Sequence, residues 1–401
     1  HPRMRSLPGV EAAGVGLSLP YEAALDEAWS AGATFAFVPE KSGVPAAWLD
    51  SALSSIPEDL RTGHFALLTS GSTGRPKLVI GAKARSEALA RLLHDVQESE
   101  PVAEAILALP LTYCYSFVNQ WLWARVMSRR VVQTHGFSQP DTLRDALRRS
   151  QSAMICLVGI QVPLIAGYFA AERFEGVIRV HFAGGRFPQN ELDVVRRCFP
   201  NAAIFNNYGC AEAMPRLTVR HAEEADIGSD VGCPLPGVAM RAGEAGELLF
   251  RSPLGAVALI DDEGLHRIAP EDWTATGDLG RIEAGRVILT GRASEVFKRH
   301  GEKIALPILL ESVGHSWRGG AAFYRERDSR GEEGHVLVLA PHPGDEATRA
   351  ILQTFRERHP RALWPLRIES VEQLPSLPNG KVDVGALPSL GNKIVHWRQR
   401  I

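Results

Sequence analysis

The chain has little that would tie it to a membrane, a nucleic acid or an oxidising compartment. No apolar run approaches the roughly 18 residues of a membrane-crossing helix, and no signal-peptide pattern opens the sequence. A net charge of −2 leaves no basic footprint for nucleic acid or an acidic lipid surface. The five cysteines (Cys114, Cys156, Cys198, Cys210, Cys233) are odd in number and lack C-x-x-C spacing. That pattern argues against a disulfide framework or a zinc ribbon and predicts free thiols in a reducing compartment. Repeats, low-complexity tracts and long charge runs are also missing. What remains is an ordinary soluble globular composition, 45% hydrophobic and 22% charged, read as cytoplasmic. Its 401 residues are enough for about two or three domains.

Against that plain background one segment stands out, Leu67-Leu-Thr-Ser-Gly-Ser-Thr-Gly-Arg-Pro-Lys77. Glycines let backbone N–H groups close on an anion; Thr69, Ser70, Ser72 and Thr73 add donors, and Arg75 and Lys77 add positive charge. The composition is that of a polyphosphate cradle, without the G-x-x-x-x-G-K-[ST] spacing of the usual nucleoside-triphosphate loop. Leu78-Val-Ile80 reads as a strand, not a helix start, so a Ser/Gly turn between two strands is the alternative.

Apolar stretches with strand character alternate with helical ones through the first 250 or so residues, which predicts α/β layering. Helices are expected over Tyr21–Ala31, Ala82–Glu98, Asp141–Ser150 and Gln189–Cys198, and buried strands over Phe65–Leu68, Ala105–Ala108, Met154–Val158 and Val177–Phe182. From about residue 228 short strands and turns predict a β-rich subdomain reaching residue 291. Residues 292–401 read as a separate α+β domain. Its expected helices are Leu306–Val313 and Asp345–His359, and its expected strands Ala321–Arg325, Val336–Ala340 and Leu366–Val371.

Further constellations follow in order. Phe205-Asn-Asn-Tyr-Gly-Cys-Ala-Glu212 offers an aromatic ring for stacking and an acid for a magnesium ion; a capped turn with Tyr208 in the core is the competing reading. Thr276-Gly-Asp-Leu-Gly280 sets a carboxylate after a tight turn, suited to two ribose hydroxyls but common in turns generally. The basic loop Lys298–Lys303 is either an anion-facing surface or a solvated hairpin. Lys381 sits on the Pro- and Gly-rich Leu374-Pro-Ser-Leu-Pro-Asn-Gly-Lys381 loop, where a lone lysine would ordinarily mean nothing.

Together and in this order, Thr69–Lys77, Ala183–Arg186, Asn207–Glu212, Val231–Gly237, Gly246-Glu247, Thr276–Asp278, Gly291–Gly301 and Pro378–Lys381 resemble the adenylate-forming superfamily of acyl- and aryl-CoA ligases, peptide-synthetase adenylation domains and firefly luciferase. The resemblance implies a large multi-layer α/β N-terminal domain, residues 1–291, with a trimmed first subdomain. It also implies a small mobile C-terminal domain, residues 292–401, rotating between half-reactions. The implied activity is ATP-dependent activation of a carboxylic acid to an acyl-adenylate with release of pyrophosphate. Transfer to a thiol follows, CoA first and the phosphopantetheine of an acyl carrier protein as the alternative. A non-catalytic acyl-adenylate or nucleotide-binding module is the reading from another class.

By the same resemblance, Thr69, Ser70, Gly71, Ser72, Thr73, Gly74 and Lys77 hold the β- and γ-phosphates, and Glu212 positions Mg2+. Gly184, Gly185, Arg186, Asn206, Asn207, Tyr208, Gly209, Cys210 and Ala211 surround the adenine and α-phosphate. Asp278 and Arg292 take the ribose, and Lys381 bridges the carboxylate and the α-phosphate. Lys298, Arg299, His300, Gly301 and Lys303 face the thiol partner, and Ser294 occupies the hinge. Tyr113, Phe117, Gly159, Phe182, Gly184 and Gly209 are expected to wall the acyl pocket.

The departures are specific. The segment preceding the phosphate loop is short for the family, which predicts exposed apolar surface and a homodimer. Ser294 replaces a charged hinge residue, and Ala211 replaces a Thr or Ser. Tyr113 stands where CoA ligases often carry His. No acid appears in Tyr113–Phe117, where amino-acid activators place an Asp, so an amino acid is disfavoured. Aromatic walls over glycine floors suit an aryl acid or a short to medium acyl chain.

Overall fold

The computed structural model describes residues 10–11, 20–38, 44–70, 76–185, 187–244, 246–299, 302–377 and 381–399. The chain divides into two compact units, His1–Thr276 with Arg281–Ile288, and Gly277–Gly280 with Leu289–Ile401.

Two sheets organise the first unit. One runs Val10–Glu11, Thr34–Phe37, His64–Ser70, Pro76–Ala82, Ala258–Asp261 and Gly264–Arg267; its first three strands are parallel and the rest antiparallel. Alternation of side chains along each strand splits the apolar residues between its faces. Phe35, Phe37, Phe65, Leu67 and Val79 pack with the helix Lys83–Val96 and the helical segment that follows Tyr113. Ala36, Ala66, Leu78, Ile80 and Ile260 pack with the helix Ala46–Ser54. Both faces being covered, the strands read as continuous apolar runs, which is why Phe65–Leu68 and Leu78–Ile80 were legible.

The other sheet sets the site. Its order is Cys233–Pro234, Thr218–His221, Ala203–Tyr208, Val177–Phe182, Ala153–Leu157, Glu104–Leu107 and Arg130–Gln133. The last five strands are parallel, closed on one side by the antiparallel Thr218–His221. Helices Pro140–Arg149, Val162–Tyr168 and Leu192–Cys198 cover one face around Leu157, Phe174, Val180 and Phe199. The loops leaving the carboxyl ends of four parallel strands carry Tyr113, Gly159, Gly184 and Gly209–Glu212. Crevices at such ends are where open α/β sheets bind ligands.

A third, four-stranded sheet comprises Ala239–Ala242, Glu247–Arg251, Thr274–Glu283 and Arg286–Arg292. The second unit holds the hairpin Val296–Arg299 with Glu302–Ala305 and the sheet Gly320–Arg327, Glu333–Ala340, Arg367–Ser370 and Ile394–Arg398. Helices Leu306–Val313 and Asp345–Arg358 pack on it around Leu309, Leu337, Ile351, Phe355 and Ile368.

The mixed α/β layering expected from the sequence is present. One expected helix starts later than its sequence pattern. Gln189–Glu191 is a 3-10 turn, and the α-helix starts only at Leu192. Residues 231–241 form the two short strands Cys233–Pro234 and Ala239–Ala242, because Leu235-Pro-Gly237 turns the chain with Gly237 at φ +82°.

Candidate functional site

The phosphate-loop segment is a β-hairpin whose strands pair Thr69 with Lys77 and Ser70 with Pro76. Gly71, Ser72, Thr73 and Gly74 lie outside the described residues, as do Arg75 and the side chain of Ser70. Lys77 emerges from the hairpin with its ammonium partly exposed, and its Nζ stands 3.8 Å from Oε1 of Glu212. Asp261, on the neighbouring strand, feels the same ammonium; burial raises its carboxyl, but backbone and His266 hydrogen bonds with the charges of His266 and Lys77 leave it low.

Glu212 comes from the 3-10 turn Ala211–Ala213, directly after the strand Ala203–Tyr208. Met214 closes that turn in the left-handed region at φ +58°. Gly209 admits no other residue, since a Cβ there would lie 1.6 Å from the Pro215 carbonyl oxygen. Tyr208 is buried, while Gly209, Cys210 and Ala211 are partly open.

On the acyl side, Tyr113 and Gly184 meet. A Cβ on Gly184 would stand 2.1 Å from the Tyr113 hydroxyl, and Gly184 has φ +77°, so the residue is fixed twice over. Burial raises the Tyr113 phenol well above its ordinary range and keeps it protonated. Gly185 has open space where a Cβ would point; Gly159 begins the turn Gly159–Gln161. Arg186 lies outside the described residues.

Two expected pocket walls are corrected. Phe117 is fully buried, its ring 5.4 Å from that of Phe65 and 5.0 Å from Trp121. Phe182 is equally enclosed and packs edge-on to Phe187 at 5.4 Å. Aromatic side chains surrendered this completely to the core face no open space; hydrophobic burial claimed both.

The asparagines of the Asn206–Tyr208 segment are likewise turned inward. Asn206 Nδ2 donates to the carbonyls of Gly228 at 3.1 Å and Asp230 at 3.3 Å. Asn207 Oδ1 accepts from Arg216 Nη2 at 2.8 Å, and its Nδ2 lies 3.3 Å from both the Tyr115 hydroxyl and His181 Nδ1. Sequence reasoning missed Arg216 altogether. It is 1% exposed and also donates to Asn119 Oδ1 and the Thr218 carbonyl. The only signal was an arginine alone among apolar neighbours, four residues after Glu212.

In the second unit, Arg292 Nε lies 3.1 Å from Asp278 Oδ1. Lys381 shares their neighbourhood. Its ammonium is held below the ordinary lysine range by burial and by Arg292, against the opposing pull of Asp278 and Glu295. Burial likewise raises the Glu295 carboxyl, against Arg292 and Lys381. The unit thus brings together Asp278, Arg292 and Lys381 from three separate sequence motifs. Ser294 is exposed in the turn Ala293–Glu295, its carbonyl 3.4 Å from Arg325 Nη1.

The expected thiol-facing loop needs a further correction. Arg299 is buried, and its Nη2 pairs with Asp328 Oδ2 at 3.1 Å, both side chains nearly inaccessible. A guanidinium engaged this way has no face left for a phosphate. Lys298 and Lys303 pair across the hairpin; their side chains, with His300 and Gly301, lie outside the described residues.

Chemically, the first unit offers an ammonium from one sheet beside a carboxylate that follows a strand of the other. Among the described residues no three metal-ligating side chains cluster. A single carboxylate beside an ammonium is a donor set that would suit a hard cation whose other ligands are phosphate and water oxygens.

Comparison with known proteins adds a family and a fold. Residues 27–257 match the model of the AMP-binding enzyme family. The delta-poly-L-ornithine synthetase of Acinetobacter baumannii is 26% identical over 355 residues, 80% of this chain and 26% of that protein. A D-alanine–D-alanyl carrier protein ligase of Bacillus cereus is 27% identical over 233 residues, 50% of this chain and 45% of that one. The chain thus spans less than half the length of these curated relatives. Among solved structures, an anthranilate CoA ligase in complex with anthranoyl-AMP superposes with a TM-score of 0.68 at 17% identity, covering 81% of this chain and 66% of that one.

Proposed function

Because the chain belongs to the AMP-binding enzyme family, we propose that it activates a carboxylic acid with ATP and passes the acyl group to a thiol. The acid's carboxylate attacks the α-phosphorus, the bond to the β-phosphate oxygen breaks, and pyrophosphate leaves with that electron pair. The obstacle is electrostatic, since an anion must approach a polyanion. Catalysis then consists of placing cations where negative charge accumulates.

The observation that carries this reading is the gathering of Asp278, Arg292 and Lys381 in one neighbourhood of the second unit. An acid–base pair for ribose hydroxyls beside an ammonium for the reacting carboxylate is an arrangement with one common task. In the first unit, Lys77 would meet the terminal phosphates and Glu212 would hold Mg2+, which supplies charge neutralisation on the phosphate oxygens when bound. Tyr208 would pack against the adenine, and the Tyr113–Gly184 contact would close the acyl crevice.

CoA is the proposed acceptor, supported by the likeness to the anthranilate CoA ligase. The Bacillus cereus relative, named for a carrier protein, supports the second reading, a phosphopantetheine thiol. An aryl or short to medium acyl acid suits the crevice, where Tyr113 meets a glycine floor.

The test is magnesium-dependent pyrophosphate release across a panel of aryl and aliphatic acids, with and without CoA. Acid-dependent release is expected, and AMP release that accelerates with CoA. No release with any acid would favour a nucleotide-binding module; release indifferent to CoA would favour a carrier protein.

A further inference from the structure

Arg216 carries a formal charge into the interior, and among the described residues its hydrogen-bond partners include no acid. Its hydrogen bonds end on Asn119 Oδ1, Asn207 Oδ1 and the Thr218 carbonyl. Gln97, in the amide orientation its neighbours require, adds its side-chain oxygen to both terminal nitrogens. All these acceptors are neutral. Beyond them a further cation, Arg179, donates to the Gln97 carbonyl at 3.1 Å and acts on His181 in the same sense as Arg216. Burial lifts the Tyr115 phenol far above its normal range and the Cys156 thiol up to about 12, while burial and Arg216 push the His181 imidazole well down. Burial lowers Arg216 itself to about 10, which still leaves it a cation at neutral pH.

The position of this cation matters. The Arg216 Cα lies 2.9 Å from where a Cβ on Gly209 would stand, behind the turn that leads to Glu212. Through Asn207 the network reaches Tyr115, whose ring is 6.0 Å from that of Tyr113, and Tyr113 meets Gly184. Through Asn119 it reaches the Tyr115 carbonyl. Tyr115, Cys156, Val158, Ala183 and Tyr113 form one packed cluster. The Glu212 carboxylate, which acts on Cys114 of this region, already faces Lys77.

We propose that Arg216 is a specificity-determining residue of the acyl side: a fixed, buried positive charge that turns away acids bearing an ammonium group. The site is then left to acids with uncharged or anionic tails. This rests on the proposed carboxylate-activating function and names its substrate class. A fixed charge in a poorly screening interior disfavours a like charge brought to its side of the sheet. Burial also prevents Arg216 from swinging aside to accommodate an ammonium.

Matched acids that differ only by the ammonium test it: propionate against D-alanine, and 3-phenylpropionate against phenylalanine. Pyrophosphate exchange is measured for each with the wild type, Arg216→Met, Arg216→Lys and Asn119→Asp, the last placing a carboxylate on Arg216 without removing it. The expected wild-type kcat/KM favours the ammonium-free member by at least roughly tenfold. Arg216→Lys keeps that ratio, and Arg216→Met and Asn119→Asp each collapse it toward unity. A wild type indifferent to the ammonium, or a ratio unmoved in a folded Asn119→Asp, overturns the proposal. Ligand-induced melting shifts with Mg·ATP present separate the two readings. Shifts only with ammonium-free acids but no exchange would keep the charge assignment and defeat the activating function; no shift with any acid would defeat both.

Discussion

Lys77 Nζ stands 3.8 Å from Glu212 Oε1, an ammonium on a hairpin of one sheet facing a carboxylate at the carboxyl edge of another. Neither residue is conspicuous alone. In the proposed reaction their pairing would be where metal and phosphate charges are balanced. Glu212→Gln keeps the shape and removes the charge. Acid-dependent pyrophosphate release is expected to fall by roughly two to three decades, with the magnesium requirement moved upward. Near-normal rates at ordinary magnesium would take the metal role away from Glu212.

Lys381→Ala is expected to separate the half-reactions. Adenylate formation should be lost, whereas thioester formation from supplied acyl-adenylate should persist. Single-turnover assays of each step decide the matter, and equal damage to both would count against the role assigned to Lys381.

Gly184→Ala should injure the acyl side selectively. Its Cβ would stand 2.1 Å from the Tyr113 hydroxyl, at a backbone angle unsuited to a side chain. The KM for the acid is expected to rise well before the KM for ATP. Tyr113→Phe in the same background should restore part of the loss, because it removes the clashing oxygen.

The Arg299–Asp328 pair is a stability element of the second unit. Asp328→Asn leaves a buried guanidinium without its counter-charge, at a cost of about 3–5 kcal/mol. Thermal denaturation should show the loss. Arg299→Met with Asp328→Leu, removing both charges, should recover most of it.

Acid should weaken the same unit through His335. Its buried imidazole lies between the rings of Phe297 and Phe323, 6.0 and 5.2 Å away, and burial with the Arg299 charge holds it down to about 3. Unfolded, it titrates near 6.5. Between those values the unfolded chain binds the extra proton, so stability is full above 6.5 and drains away as pH falls toward 3. His335→Leu is expected to flatten that slope in acid denaturation while changing little at neutral pH. An unchanged slope would assign the acid sensitivity elsewhere.

What could be read from the sequence follows from how locally each feature is determined. Val177–Phe182 and Leu306–Val313 have the bounds that apolar patterning predicts, because each is specified by its own residues. The pairing of Pro76–Ala82 with Ala258–Asp261 joins segments far apart in the chain, and no local pattern announces it. Phe117 and Arg299 looked like site residues by motif position, yet burial and Asp328 took them into packed interiors. Arg216 was invisible for the opposite reason. An arginine's burial is decided by partners on other elements, here Asn119 and Asn207, and composition counts it as surface.

The pairing of Thr69 with Lys77 carries a constraint on how this protein can vary. Residues opposite one another in an antiparallel hairpin point to the same side, and neighbours along a strand point to opposite sides. Losing or gaining a single residue between Lys77 and Ala82 would turn the ammonium through the sheet, away from the carboxylate it now meets. A change of two would keep the side but carry the ammonium about 7 Å along the strand, so length here is constrained in both respects.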